Sequence, residues 1–326
     1  MAGGQERILR RRIRSVESTK KITRAMELIA ATRVVKAQER AAAARPYAEQ
    51  ITAVILDLVK AGAAKDSPLL RTHPEANKAA IVVITSDRGL CGAYNNTIIR
   101  MAEREVQAYR AEGLDYELVC VGNKAISYFT FRNYRIAARF TGVTDQPTYD
   151  QAREIAGAIR GPFENGELQS VDLAYWRFAS AGSQEAVIRR FLPLQVEEDG
   201  NGAPGPSADL EYEPSPTVIL GELLPRYVEA RIYSALLDAS ASEHAARQRA
   251  MKSATDNAEE LKITLTRIMN RARQDAITTE IMEIVGGAEA LKKGKGEKED
   301  ILVDHLMPEH LFDQHLDRLD TTRSLH

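Results

Sequence analysis

The residues best placed to do chemistry lie in one stretch, Thr85–Asn96, which reads TSDRGLCGAYNN. An apolar run, KAAIVVI, precedes it, and a helix-like segment, NNTIIRMAEREVQAYRAEG, carries on from its end. A strand, a two-glycine loop and a helix start form the layout that cradles phosphates, because free N–H groups of the first helical turn favour an anion. Here the glycines are spaced Gly89-x-x-Gly92, which is neither G-x-G-x-x-G nor G-x-x-x-x-G-K-[ST]. No Lys follows the second glycine, and no Ser or Thr is placed to hold a magnesium ion. Two readings stand: a nucleotide site, or a tight strand-to-helix turn that needs glycine freedom and presents polar groups to a partner. Cys91, near a helix start, is a candidate reactive thiol, but no His lies close in sequence to activate it.

Elsewhere the chemical signals are thin. Four of the six histidines, His305, His310, His315 and His326, sit in the tail at spacings that miss the i,i+4 face a helical metal site uses. No carboxylate pair, His/Cys cluster or triad has catalytic spacing, so no catalytic residue, cofactor or metal is expected. Residues 1–45 carry 12 Lys/Arg against 4 Glu, a net +8, while the whole chain is −2. Such a basic arm suits an acidic partner, nucleic acid or an anionic surface. Against nucleic acid, no aromatic precedes Tyr47 to stack on bases. Two cysteines, Cys91 and Cys120, are too few for a disulfide framework and suit a reducing compartment. The start, MAGGQERILRRRIRS, lacks an apolar signal core, and the longest uncharged apolar run, AAIVVI, is far short of the ~20 residues that span a membrane.

The elements around the loop fall into three textures. From Glu6 to about Lys60 there is no glycine and one proline, Pro46, and Ile13, Val16, Ile22, Met26 and Ile29 recur at helical steps. This predicts a helix roughly 80 Å long at ~1.5 Å per residue. Over 78–195, AAIVVIT, YELVCVG and RIAARF read as strands alternating with helices, a mostly parallel α/β sheet. TYDQAREIAGAIRGPF reads as a further helix, and VDLAYWRF, ASAGSQ and EAVIRRFLPL as an antiparallel hairpin that finishes the sheet. Residues 196–216 form a Gly/Pro-rich acidic loop.

From Pro225, suited to a helix start, to Gly286 there is neither glycine nor a further proline. Val228, Ile232, Leu236 and Ala239, then Leu261, Leu265, Ile268, Ala272 and Ala276, recur at steps of 3 and 4. This second helix, roughly 90 Å long, pairs most economically with the first as an antiparallel coiled coil. Its end, AITTEIMEIVGG, sets Ile277, Ile281, Met282, Ile284 and Val285 around much of its circumference, so a partner is expected to bury it. The alternative is that the tip folds back on the α/β domain.

Three passages together resemble the gamma subunit of F-type ATP synthases. They are RIRSVESTKKITRAMELIAATRVVKAQ (12–38), TSDRGLCGAYN (85–95) and SEHAARQRAMKSATDNAEEL…NRARQDAITTEIMEIVGGAEAL (242–291). The resemblance implies a non-catalytic central-stalk rotor. Its fold is a long antiparallel two-helix coiled coil (1–60 and 217–290) bracketing a Rossmann-like α/β foot domain (78–195). Its partners are the alpha and beta subunits, the epsilon subunit and the c-subunit ring of a proton-translocating enzyme, with no nucleic acid and no membrane insertion. It would lie on the cytoplasmic side of a bacterial plasma membrane. Implied beta-subunit contacts are Lys20, Lys21, Arg24, Met26, Arg88, Cys91, Arg273, Gln274, Thr278, Glu280 and Glu283. Tyr212 and Glu213 match the part of the foot facing the c ring. The charged extension 291–326 runs past the family's usual end near GGAEAL. A nucleotide-dependent enzyme using residues 85–96 and a basic nucleic-acid-binding coiled coil remain the alternatives.

Overall fold

The computed structural model describes residues 2–61, 63, 67–194 and 213–294. Helix α1 (Ala2–Lys60) opens the chain and helix α5 (Pro216–Gly294) closes its described part. Between them run β1 (Lys78–Ile84), α2 (Tyr94–Ala111), β2 (Asp115–Val121), α3 (Asn123–Phe131), β3 (Ile136–Phe140), α4 (Tyr149–Glu164), β4 (Ser170–Phe178) and β5 (Gln184–Leu192). Among the described residues no helix is long and apolar enough to cross a membrane. The chain packs as two compact units, one of residues 14–262 and one of the described residues in 1–13 and 263–326.

In the first unit the five strands pair in the order β3-β2-β1-β4-β5. The β1, β2, β3 and β4 pairings are parallel, and β5 returns antiparallel to β4. Strand side chains alternate between faces. Ala79, Ile81, Val83, Leu118 and Cys120 meet Ile98, Ala102 and Val106 of α2 and Phe129 of α3 in one core. Ala80, Val82, Ile84, Val119 and Val121 face the other way, onto Ile155 and Ile159 of α4. That second core also takes Ile51, Ile55 and Leu58 from α1, with Leu220, Val228, Ile232 and Leu236 from α5. The ends of both long helices thus serve as one layer of the α/β domain, which anchors them by apolar burial.

Helix α5 begins nine residues before Pro225, at Pro216. Ser215 precedes it as the cap, its hydroxyl accepting from Val218 N–H at 3.4 Å. Proline is tolerated at a first helical position because its missing N–H would have no partner there. Pro225 lies inside the helix.

The seam between the helices differs from the apolar spacing in the sequence. Ile22 and Ile29 are more than half exposed, as are Leu28 and Val35. One row of sheltered positions on α1 is Val16, Lys20, Thr23, Glu27, Ala30, Val34, Ala37, Ala41, Ala44, Ala48, Ile51, Ile55 and Leu58. Their steps alternate 4 and 3, the period of a coiled coil. Within this unit Met251, Thr255, Ala258 and Lys262 of α5 follow the same steps. Thr255 Oγ1 donates to Thr23 Oγ1 at 2.9 Å, Lys20 Nζ lies 2.5 Å from Glu259 Oε2, and Lys262 Nζ lies 2.9 Å from Glu17 Oε1. Rising numbers on α1 meet falling numbers on α5, so the pair is antiparallel. Small residues hold the seam because they let two backbones approach, while Lys and Glu cover it with their stems. Leu261 and Ile268, whose spacing suggested the seam, are 42% and 48% exposed. In the second unit Leu265 is buried and Met269, Ala272 and Ala276 are half-buried.

One glycine is demanded by a close approach. Gly122, between β2 and α3, has φ +95°, and a methyl group there would stand 2.2 Å from the Thr85 carbonyl oxygen. Gly122→Ala is expected to cost roughly 3 kcal/mol, from a left-handed backbone plus a backbone clash. Urea unfolding followed by circular dichroism would measure it.

Candidate partner-binding surfaces

The loop after β1 is tied down from within. Thr85 is buried, and its Oγ1 accepts from Ala125 N–H at 3.0 Å and donates to the Val121 carbonyl at 3.2 Å. Ser86 N–H donates to Asn95 Oδ1 at 2.9 Å. The Asp87 carboxylate accepts from Asn123 N–H (3.1 Å), Gly142 N–H (3.0 Å) and Thr144 Oγ1 (3.3 Å). Asp87 therefore puts the protein's own negative charge at the start of α3, where a helix N-terminus attracts an anion. Leu90 and Gly92, at φ +66° and +60°, turn the chain sharply into α2. Arg88 and Leu90 are left facing solvent.

The crevice beyond this loop is occupied as well. Open doubly wound sheets take ligands outside the carboxyl ends of their strands, where the strand order reverses. In the order β3-β2-β1-β4 that point lies between β1 and β4. Helix α5 crosses it with residues 239–245, all buried. Tyr94 Oη donates to the Ala239 carbonyl at 3.0 Å, Ser242 Oγ to the Trp176 carbonyl at 3.4 Å, and Arg247 Nη2 to the Gly89 carbonyl at 3.3 Å. What is left is an open cavity of about 370 Å³, lined by Cys91, Tyr94, Trp176, Ser242 and Arg249. A helix sits where a nucleotide would lie.

Burial sets the electrostatics of this seat. The Cys91 thiol, 2% exposed, is pushed up by desolvation. Burial and a raised thiol do not favour a reactive cysteine, and Asn95 Nδ2 donates to its sulfur at 3.1 Å. Burial raises the Glu243 carboxyl, opposed by the Arg247 guanidinium 2.8 Å away. His244, 2% exposed, is lowered to about 4 by burial, partly countered by Asp145. Sequence reading missed Glu243 and His244. The available signal was a pair of ionisable residues inside the otherwise small-residue run ASASEHAAR.

The other expected contact residues distribute unevenly. Lys20 is turned to Glu259 within the coiled coil, and Met26 is half-buried. Lys21 is exposed, and so is Arg24, which forks onto the Glu27 carboxylate at 2.9 Å to each oxygen. Arg273, Gln274, Thr278, Glu280 and Glu283 are all exposed along α5. Ile277, Ile281, Met282, Ile284 and Val285 are exposed by 49–68%. Glu213 is exposed. Tyr212 and the extension from residue 295 lie outside the described residues, as do the four tail histidines.

Residues 5–291 match the family model described as ATP synthase. The chain is 51% identical to the ATP synthase gamma chain of a Parafrankia strain over 296 residues, covering 89% of this chain and 99% of that one. It is 46% identical to that of Mycolicibacterium smegmatis over 303 residues, covering 89% and 98%. The chain belongs to the ATP synthase gamma-chain family. The gamma-chain fold recurs in solved structures of low sequence identity. A chain of the Euglena gracilis mitochondrial ATP synthase matches with a TM-score of 0.63 at 20% identity, covering 92% of this chain and 98% of that one. A chain of the Tetrahymena thermophila central stalk and c-ring structure matches with a TM-score of 0.53 at 24% identity, covering 72% and 99%.

The buried imidazole is expected to make this gamma chain acid-sensitive in a defined window. His244 is lowered in the fold, so its contribution is complete above the unfolded value near 6.5 and is lost as pH falls towards about 4. Between those limits wild-type stability is expected to drop by up to about 3 kcal/mol more than that of His244→Gln, at 1.36 kcal/mol per pH unit. Urea titrations of both proteins from pH 7 to pH 4 check this.

Proposed function

We propose that this gamma chain is the non-catalytic central-stalk rotor of a proton-translocating F-type ATP synthase. In this reading rotation of a c-subunit ring turns the paired helices, and their asymmetry drives the catalytic beta subunits through their nucleotide states. The observation that carries it is the end of α5, where five large apolar side chains stand exposed around the helix. Burying a side chain of that size stabilises by about 1.5–3 kcal/mol, so a sleeve of alpha and beta subunits gains much by enclosing the tip. Apolar contact has no fixed direction, which suits a surface that must turn.

Beside the tip and elsewhere on the chain, Lys21, Arg24, Arg88, Arg273, Gln274, Thr278, Glu280 and Glu283 supply exposed charge and hydrogen-bonding capacity for beta-subunit loops. Lys20 and Met26 support that surface from the seam. Exposed charges give broad, shallow attraction rather than one locked geometry. The α/β domain of residues 78–195 would be the foot, with Tyr212 and Glu213 on the side facing the epsilon subunit and c ring. The assembly would sit at the cytoplasmic face of a bacterial plasma membrane. The filled switch-point crevice supports the non-catalytic reading over a nucleotide-dependent enzyme.

Reconstitution with alpha and beta subunits tests this reading. ATPase activity is expected to require the chain, while the chain alone neither binds nor hydrolyses ATP; saturable hydrolysis by the isolated chain would overturn it. Replacing Ile281 and Val285 together by Asp is expected to lower coupled activity at least about tenfold, since each charge resists burial by more than 1.4 kcal/mol. Circular dichroism should show the isolated variant folded. Unchanged ATP synthesis would refute the buried tip.

A further inference from the structure

We propose that the polar seat of α5 in the switch-point crevice is the joint that passes torque between the α/β domain and the paired helices. This rests on the rotor reading and adds to it the residues that resist twist.

Asp145, in the loop between β3 and α4, meets both long helices. Its carboxylate accepts from Arg33 Nη1 of α1. Its carbonyl oxygen accepts from Ser240 Oγ of α5 at 3.3 Å and lies 3.4 Å from His244 Nε2. The next residue back, Thr144, is bonded to Asp87, whose carboxylate also holds Asn123 at the start of α3. One short chain of bonds therefore runs from α1 and α5, through 144–145, into the loop after β1 and on to α3, which packs on the other sheet face. A separate arm joins Glu243 and Arg247 of α5 to the Gly89 carbonyl. All of these residues belong to the compact unit of residues 14–262.

The need for such a joint follows from the surroundings. Ala239, Ala241 and Ala245, each nearly fully buried, give α5 a smooth contact with the domain. Apolar contacts between small side chains resist separation but offer little directional resistance to a helix turning about its axis. Hydrogen bonds to fixed backbone carbonyls have a preferred direction and lose strength when it is turned. Ser240, His244 and Arg247 lie at steps of 4 and 3 and so form one row on the face of α5. Among the described residues, Glu243 Oε2 and His244 Nδ1 are buried without a hydrogen-bond partner. Polar side chains are thus retained at a place where apolar ones would pack without that penalty.

The test uses the whole enzyme in vesicles, with Ser240→Ala/His244→Leu in one variant and Arg33→Ala in another. ATP-driven proton pumping per ATP hydrolysed is expected to fall about fivefold in the double variant, and single-molecule torsional stiffness of the rotor by about half, with hydrolysis kept. The exchange Arg33→Asp with Asp145→Arg is expected to restore much of what Arg33→Ala loses. If the double variant does not assemble, Arg33→Ala and the exchange decide alone. Normal stiffness and pumping in assembled variants overturn the joint. Loss of pumping or rotation in the wild-type enzyme overturns the rotor reading instead.

Discussion

The rest of the structure depends on one packing constraint: α5 must cross the carboxyl edge of the sheet at the point where the strand order reverses. Residues 239–245 are small or tightly bonded and all buried, and they bring a helix backbone close to the loop after β1. That approach fills the ligand crevice of a doubly wound sheet and leaves only an open remnant beside Trp176. It also joins the helix to the domain over a long stretch, because Leu220 to Leu236 already lie on one sheet face. A fold that elsewhere cradles a nucleotide is here used as a mount.

The same constraint divides labour along the helices. Where they face each other, the seam is built from Ala, Thr, Val and the stems of Lys and Glu, so little large apolar surface is used there. Ile22, Leu28, Ile29 and Val35 on α1 and Leu261 and Ile263 on α5 are consequently left facing solvent. Scattered exposed apolar residues are ordinary on a protein surface, but five clustered at one helix end are not.

Electrostatics follows burial rather than composition. The ion pairs along the rod, such as Lys20 with Glu259, are partly exposed and individually weak. Three groups displaced from their ordinary titration, Tyr94, Glu243 and His244, sit where α5 meets the domain. Desolvation is the first cause for each, so the seat is a dry, polar contact inside an otherwise apolar support.

Much of the α/β domain was legible in the sequence. Continuous apolar runs such as KAAIVVI and the hairpin VDLAYWRF–EAVIRRFLPL carry their own signal. The three family passages identified the chain because residue order survives without reference to packing. The seam was misread at Ile22, Ile29, Leu261 and Ile268, because hydrophobic spacing finds apolar residues and this seam is made of small ones. Pro225, suited in sequence to a helix start, lies inside α5. The burial of Cys91, the inward turn of Lys20 and the cluster at Asp145 join residues up to 239 positions apart. Local sequence sets which segments form helices and strands; only the packing of α5 across the sheet edge decided that a phosphate-like loop would hold a helix.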